Sequence, residues 1–149
     1  VYAAAAGAGA TVATADGTRS SLRCGEQDDP ALSLVATGFG YDAQRRKQQA
    51  ELLTKLLPQV RDIRRIGAAA LDLCRVAEGS VDAYFEHGIN AWDFAAGALI
   101  AREAGAKVHH PGLDKGSADG ELTWAAGVNL APAFEELLAA HGAKEAMRG

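Results

Sequence analysis

Two carboxylates and an amide stand close together in the middle of the chain, at Glu86, Asn90 and Asp93. The residues before them alternate between apolar and polar types over Val81 to Glu86, which predicts a strand. An apolar pattern with helical spacing follows Asn90, so the three polar side chains come at a strand–turn–helix junction. Carboxylates are the groups that hold hard divalent cations in proteins. This junction is therefore the candidate site.

The same spacing has a purely structural explanation. An Asn-x-x-Asp sequence at the start of a helix is the pattern of reciprocal capping, and the helix dipole favours Asp93 in the first turn without any chemistry. His87 is expected to be a turn residue, because no second His or Cys lies near it at the spacing of metal ligands. His109 and His110 are neighbours on a predicted strand and point to opposite faces, which argues against a shared metal. On the residues alone, capping and chemistry both stay open.

Strands and helices alternate along the chain, with Gly and Pro between them. The predicted strands are Val1 onward, Ala10 to Thr14, Arg19 to Arg23, Leu32 to Gly38, Val60 to Ile66, Val81 to Glu86, Ala106 to His110 and Leu122 to Val128. The predicted helices run from Asp42 to about Leu57, from Gly67 to Gly79, onward from Asn90, and onward from Pro132. This order predicts an α/β or layered α-β-α domain with ligands at the open ends of the strands. The final residues, Gly142 to Gly149, are predicted to form a frayed tail.

Apolar spacing predicts which face of each helix is buried. The predicted stripes are Leu52, Leu53, Leu56 and Leu57 in the first helix; Ile66, Ala69, Ala70, Leu73, Cys74 and Ala77 in the second; Trp92, Ala95, Ala96, Leu99 and Ile100 in the third; and Ala133, Phe134, Leu137 and Leu138 in the last. Gly67 joins a strand to a helix, a geometry that turns backbone N–H groups towards polar ligands, although such glycines often serve packing alone.

Composition limits the classes of function. With 149 residues and 48% hydrophobic content, the chain can bury one core, so a single domain over residues 1–149 is expected. The net charge is -4, and no Lys/Arg cluster is interleaved with aromatic residues, which argues against a nucleic-acid surface. The basic groups Arg45-Arg46-Lys47 and Arg61 with Arg64-Arg65 are interpreted as a solvated helix face and a loop edge. An anionic substrate remains possible if a divalent metal supplies positive charge.

The two cysteines, Cys24 and Cys74, are far apart in the sequence, and Cys74 lies in an apolar helical pattern that predicts a buried, reduced thiol. The sequence shows no run long enough to span a membrane and no signal peptide, so no membrane association is predicted and the cytoplasm is the expected compartment. Because the chain begins without Met on a strand-like segment, we expect it to begin inside a domain.

Four segments taken together resemble one enzyme family. They are GAAALDLC at Gly67–Cys74, DAYFE at Asp82–Glu86, WDFAAG at Trp92–Gly97 and EAG at Glu103–Gly105. In this order and spacing they resemble the C-terminal half of an inositol monophosphatase family enzyme, the magnesium-dependent, lithium-sensitive type of sugar phosphatase. The resemblance runs from the first strands to about His110 and is expected to continue to the end of the chain.

The resemblance implies the C-terminal half of a layered αβαβα fold, a homodimer, and Mg²⁺-dependent hydrolysis of inositol or sugar phosphates. It assigns Asp93 as a catalytic metal ligand beside the substrate hydroxyl and Glu86 as the carboxylate that hydrogen-bonds the sugar-alcohol ring. It also assigns Gly67, Ala68 and Ala69 as the backbone lining the ring site; relatives often carry Ser or Thr at position 68.

The family's upstream motifs, Gly-Glu-Glu and Asp-Pro-Leu-Asp-Gly-Thr, do not occur in these residues. They carry most of the family's metal ligands, so the N-terminal metal-binding half is expected to be absent and the chain alone is expected to be inactive. Two alternatives stay open. One is a histidinol-phosphate or nucleotide-phosphate phosphatase of the same superfamily, and the other is a non-catalytic dimerisation or regulatory half.

Overall fold

The computed structural model describes residues 1–149. Eight strands, β1 to β8 in chain order, span Tyr2–Ala4, Ala10–Ala13, Arg19–Ser21, Leu34–Thr37, Asp62–Arg64, Ala83–His87, Lys107–His109 and Leu122–Ala126. Four α-helices, α1 to α4, span Ala43–Leu56, Ala69–Glu78, Ala91–Glu103 and Ala131–Ala140. Short 3-10 helices lie at Pro30–Leu32, Leu57–Gln59 and Ser117–Asp119. Every predicted strand and helix is present, and the strands are shorter than the patterns that predicted them.

A mixed sheet of five strands, in the order β5-β4-β6-β8-β7, lies at the centre of the molecule. Strand β4 runs parallel to both of its neighbours, with Val35 opposite Ile63 on β5 and opposite Ala83 on β6. Strand β8 runs antiparallel to β6 and β7, with Trp124 opposite Phe85. Because β4, β5 and β6 are parallel, the segments that follow them all leave the sheet at the same edge.

The molecule is layered around this sheet. One buried cluster joins the sheet to α2 and α3, and a second joins its other face to α1 and α4. A separate antiparallel sheet, β1-β2-β3, lies against α3 through β1 and β2. The predicted α-β-α layering is confirmed, and α3 lies between two sheets. None of the four helices combines the length and the apolar character that crossing a membrane needs.

The predicted buried face of α3 is only partly confirmed: Ile100 is buried and Leu99 is partly buried, but the rest of the prediction is wrong. Trp92 is 81% exposed and Ala95 and Ala96 are also exposed, whereas the buried residues of this helix are Phe94, Gly97, Ala98, Ile100 and Ala101. The reason is the position of α3 between two sheets, which buries parts of more than one side. In α2 the prediction of Leu73, Cys74 and Ala77 is confirmed, but Ile66 and Ala70 are exposed while Val76 is buried.

The C-terminal tail is ordered and packed, contrary to the prediction of a frayed end. Ala143 and Met147 are buried in the cluster under α1 and α4. The backbone N–H of Met147 donates to the Gly120 carbonyl at 2.8 Å.

In the first basic group Arg46 and Lys47 are exposed as predicted, but Arg45 is only 5% exposed. In α1 the predicted Leu52 and Leu56 are buried, but Leu57 is exposed and the buried face continues through Gln49 to Arg45.

Candidate active site

A cavity of about 220 Å³ lies at the edge of the sheet where β4, β5 and β6 end. Its walls come from the three segments that follow those strands, together with Glu86 near the end of β6 and Ser117 from a loop. The lining residues are Gly38, Phe39, Gly40, Tyr41, Arg65, Gly67, Ala68, Ala69, Glu86, Gly88, Ile89, Asn90, Asp93 and Ser117. The fold thus brings all five predicted site residues, Asp93, Glu86, Gly67, Ala68 and Ala69, to one opening.

Asp93 lies in the first turn of α3, with its side chain at the cavity. Its Oδ2 accepts a hydrogen bond from the backbone N–H of Asn90 at 3.0 Å, which is the acidic half of a capping box. The Asn90 side-chain oxygen accepts from the backbone N–H of Ser117 at 2.8 Å, so this amide also ties a distant loop to the helix start. Asp93 therefore caps the helix and also lines the cavity, so the capping role does not take its side chain away from a ligand.

Glu86 forms the floor of the cavity. Its Oε2 accepts a hydrogen bond from the Tyr84 hydroxyl at 2.8 Å. The same oxygen lies only 2.2 Å from the position that a Cβ would take at Gly38. Burial raises the pKa of Glu86 above its usual value, the charge of Asp93 adds to this, and the Tyr84 hydrogen bond and Arg65 work in the opposite direction. The Glu86 carboxyl can accept a hydrogen bond from a hydroxyl group in the cavity or, when protonated, donate one to it.

The backbone from Gly67 to Ala69 forms another wall. Gly67 has φ +92°, which a side chain rarely adopts, and a Cβ there would meet the Arg65 guanidinium. Ala68 is the N-terminal cap of α2 and makes no side-chain capping bond, so the first N–H groups of that helix are left for other partners. The wall presents backbone donors rather than side chains.

Several cavity residues were missed by the sequence analysis. Gly38, Phe39, Gly40 and Tyr41 follow β4, and a Gly-x-Gly directly after a buried strand was a signal that could have marked a close approach to a ligand. Ser117 comes from a loop whose approach to Asn90 has no local sequence signal. Arg65, interpreted as a loop edge, is the one Lys or Arg side chain among the lining residues.

A further carboxyl, Asp72, is fully buried behind this wall. Neither of its oxygens has a hydrogen-bond partner in the structure. Burial raises the pKa of Asp72 to about 6, and the charge of Glu86 adds to the shift while Arg75 and Arg65 oppose it. The region around the cavity therefore holds three neighbouring carboxyl groups.

The histidines stand apart from the site. His87 is the last residue of β6 and is buried, and its Nε2 is 2.7 Å from the Ala143 carbonyl oxygen. Burial lowers the pKa of His87. His109 stacks on Trp124 and His110 on Phe94, with ring centroids 6.4 and 4.9 Å apart. The two rings thus stack on different partners, one on the helix α3 and the other on the strand β8.

The carboxylates at the cavity suit a hard cation only in part. Asp93 offers one oxygen ligand of the type that Mg²⁺ prefers. No group of three or more His, Cys, Asp or Glu side chains is arranged to hold a metal ion. A divalent cation here would need further ligands beyond those of the described residues.

Cys74 fits its prediction. It is buried and free, and burial raises the pKa of its thiol to about 11.

Comparison with known proteins gives the same family from three directions. A sequence model described as the "Inositol monophosphatase family" matches residues 1–146. The "Inositol-1-monophosphatase SuhB" of Mycobacterium tuberculosis H37Rv is 57% identical over 108 residues, which are 72% of this chain and 37% of that protein. The "Nus factor SuhB" of Xylella fastidiosa is 35% identical over 149 residues, covering 95% of this chain and 52% of the relative.

The fold is also shared. The solved structure of Mycobacterium tuberculosis SuhB superposes with a TM-score of 0.87 and 46% sequence identity, covering 97% of this chain and 56% of that one. The chain thus spans about half the length of the relatives that it matches. Because the family model covers nearly all of the sequence and the structural match is close, the chain belongs to the inositol monophosphatase family.

Proposed function

We propose that these residues form the substrate-ring wall and one metal-ligand position of a Mg²⁺-dependent phosphatase that hydrolyses inositol or sugar phosphates. One observation carries the proposal. The cavity draws Gly67, Ala68 and Ala69 from the start of α2, Glu86 from β6 and Asp93 from α3 into a single space. These residues come from three successive elements of the chain, α2, β6 and α3, and the family resemblance singles out the same residues.

In this proposal each residue has a separate role. The Glu86 carboxyl hydrogen-bonds a ring hydroxyl, and burial raises the pKa of this carboxyl above its usual value. The backbone N–H groups at the start of α2 hold ring oxygens. Asp93 would be the ligand for a metal ion. When bound, such an ion neutralises charge on the phosphoryl group and lowers the pKa of the attacking water.

The isolated chain is proposed to be inactive. One aspartate at the cavity does not make a metal site, and no three-ligand group exists among the described residues. The remaining ligands are proposed to come from an N-terminal half of the same fold, with the whole enzyme acting as a homodimer. The proposed compartment is the cytoplasm, which is compatible with two free, buried cysteines.

Two alternatives keep specific support. Histidinol phosphate or a nucleotide phosphate would also offer hydroxyl groups to Glu86 and a phosphate to the metal side. A non-catalytic role is favoured by the name of one relative, the Nus factor SuhB of Xylella fastidiosa. The open cavity beside Glu86 and Asp93 favours the substrate-binding role over the non-catalytic one.

A chimera tests the proposal. This chain would replace its matched segment in Mycobacterium tuberculosis SuhB, and phosphate release would be measured with Mg²⁺ on inositol 1-phosphate, histidinol phosphate and AMP. We expect turnover of the inositol ester above the other two. Asp93→Asn should then lower kcat by about a thousandfold, the scale of a lost charge-stabilising group, with weaker Mg²⁺ activation.

Glu86→Gln should raise KM for the inositol ester more than it lowers kcat, because it replaces one of the two carboxyl oxygens, which accept from the ring hydroxyl, with an NH2 group that can only donate. Glu136→Gln, at an exposed position on α4, is the matched control and should change nothing. The 149-residue chain alone should show no turnover. Activity of the isolated chain would refute the claim of an incomplete site, and a chimera that folds but stays inactive would refute the phosphatase proposal.

A further inference from the structure

Arg45 is a buried cation without an acidic partner. Its side chain is 5% exposed, and none of the ion pairs in the structure includes it. Its guanidinium instead donates from Nε to the Met147 carbonyl at 2.8 Å and from Nη1 to the Ser117 hydroxyl at 3.0 Å. Nη1 is also 3.5 Å from the Gly88 carbonyl oxygen. Burying an unpaired charge is costly, so these contacts must contribute substantially to holding it there.

The three partners belong to three different segments. Met147 is in the C-terminal tail, Ser117 begins the short 3-10 helix before β8, and Gly88 follows β6. The tail is far from Arg45 in the sequence, with a separation of 102 residues between the bonded groups. Arg45 therefore fastens the tail to two walls of the cavity.

A chain of hydrogen bonds continues from Arg45 to the candidate metal ligand. Ser117, held through its hydroxyl by Arg45, donates its backbone N–H to the Asn90 side chain at 2.8 Å. The backbone N–H of Asn90 in turn donates to Asp93 Oδ2 at 3.0 Å. The path from the tail to Asp93 thus passes through Arg45, Ser117 and Asn90 without a gap.

Two glycines pack directly against the residues of this hydrogen-bonded path. A Cβ at Gly88 would lie 2.3 Å from Arg45 Nη1 and 2.9 Å from the Ser117 carbonyl oxygen. A Cβ at Gly120 would lie 2.1 Å from the Met147 carbonyl oxygen. Both glycines have positive φ, so side chains are excluded by conformation and by contact. The guanidinium and the tail pack directly onto backbone.

We propose that Arg45 is a positioning residue for the active site, which uses the packed C-terminal tail as an anchor to hold Ser117, Asn90 and hence the Asp93 carboxylate in place. The role of Asp93 as a metal ligand rests on the proposed function. The positioning itself concerns hydrogen bonds of this chain and is tested without turnover.

Amide hydrogen exchange on the 149-residue chain tests the proposal. Arg45→Met keeps the length of the side chain but removes its donors. We expect exchange at the Ser117 and Asn90 amides to rise about tenfold or more relative to core amides such as that of Tyr84, the change expected when a charge-assisted hydrogen bond is lost. The carboxyl ¹³C resonance of Asp93 should shift as well. Deletion of residues 143–149 should produce the same local pattern.

Leu52→Ala is the matched control, since Leu52 is buried on the same helix but lies outside this path. It should lower global stability while keeping the exchange of Ser117 and Asn90 in its original ratio to that of Tyr84. Arg45→Lys, which retains one donor, should restore part of the lost protection. The proposal is overturned if Arg45→Met and Leu52→Ala change exchange alike, or if the Asp93 resonance stays in place. Neither result depends on phosphatase activity.

Discussion

The two faces of the five-stranded sheet are packed with different kinds of residue. Under α1 and α4 the core is built from large side chains, with the Phe134 ring 6.4 Å from Phe85 and 6.1 Å from Trp124. Under α2 and α3 it is built mainly from small ones, eight of its sixteen buried members being alanines. Small residues let helices approach closely, and on this face they place the N-termini of α2 and α3 beside the cavity. The α1/α4 face mainly supplies stability and reaches the site only through Arg45 and the C-terminal tail, whereas the α2/α3 face forms walls of the cavity directly.

The first way to test this contrast is Phe134→Ala on the large-residue face. Phe134 is 1% exposed and contacts two aromatic rings, so its truncation should lower the free energy of unfolding by about 3–5 kcal/mol. The amide resonances of Ala69 and Asp93 should move much less than those of the residues that line the new cavity, because the sheet separates them from it. Urea denaturation and two-dimensional NMR measure the two effects.

Leu137→Ala is the control for that change, since Leu137 lies on the same helix but is only partly buried. It should cost less than half as much. If Phe134→Ala shifted the resonances of Ala69 and Asp93 as far as those of the residues that line the new cavity, the two faces would not act separately. The contrast between them would then fail.

How much of this could be predicted depends on how local the determining contacts are. The junction from β6 through Asn90 to Asp93 was predicted because strand alternation and the cap lie within a few consecutive residues. The packed tail and the burial of Arg45 could not be, since they rest on a contact across 102 residues. No local pattern distinguishes a buried Arg of this kind from the exposed Arg46 beside it.

The buried face of α3 was partly mispredicted, for a different physical reason. A helix with one buried face shows a single apolar stripe, but α3 lies between two sheets and buries Gly97 and Ala98 where small size matters more than hydrophobicity. Trp92 was placed on the buried face by its helical spacing from Ala95, Ala96 and Leu99, yet it lies exposed in the first turn of α3 beside Asp93. The cavity residues from β4 were missed because parallel pairing of β4 with β6 is not a sequence-local property.

On the small-residue face, Gly97→Ala should have the next largest effect. A Cβ at Gly97 would lie 2.8 Å from Leu73 Cβ and 3.0 Å from the Ala70 carbonyl oxygen, so α2 and α3 would have to separate. Overpacking costs about 1–3 kcal/mol, from which the better helix propensity of Ala recovers part. Unlike Phe134→Ala, this change should move the amide resonances of Ala69 and Asp93. Thermal unfolding and NMR of the variant measure both.

Ala96→Ser is the control for the glycine, because it is the adjacent, exposed position of α3. It should change stability by no more than about 0.5 kcal/mol and leave the cavity resonances unchanged. A Gly97→Ala variant as stable as the original chain, with unmoved resonances, would show that the close approach of the helices does not set the cavity.

The smallest expected effect on the free energy of unfolding comes from Asp72→Asn. Its sign tests whether the small-residue face carries an electrostatic cost. Because the folded pKa of Asp72 is raised to about 6 from 3.8, the folded state binds a proton more readily than the unfolded chain. The buried charge therefore costs stability above pH 6, and that cost fades as the pH falls from 6 towards 4. Asp72→Asn should stabilise the chain at pH 8 by about 1–2 kcal/mol, the penalty of the shift less the unmade hydrogen bonds of the amide. The gain should disappear near pH 4.

Asp62→Asn on β5 gives the opposite sign and so serves as the control. Hydrogen bonding from Arg64 lowers the pKa of the exposed Asp62 carboxyl, so its contribution to stability is present at neutral pH and is lost as the pH falls through the folded pKa. Asp62→Asn should therefore destabilise at pH 8 and become neutral in acid, as read from urea midpoints across the pH range. If the effect of Asp72→Asn did not depend on pH, the charge of the buried Asp72 carboxyl would not lower the stability of the folded chain. The small-residue face would then bear no electrostatic cost for the site that it positions.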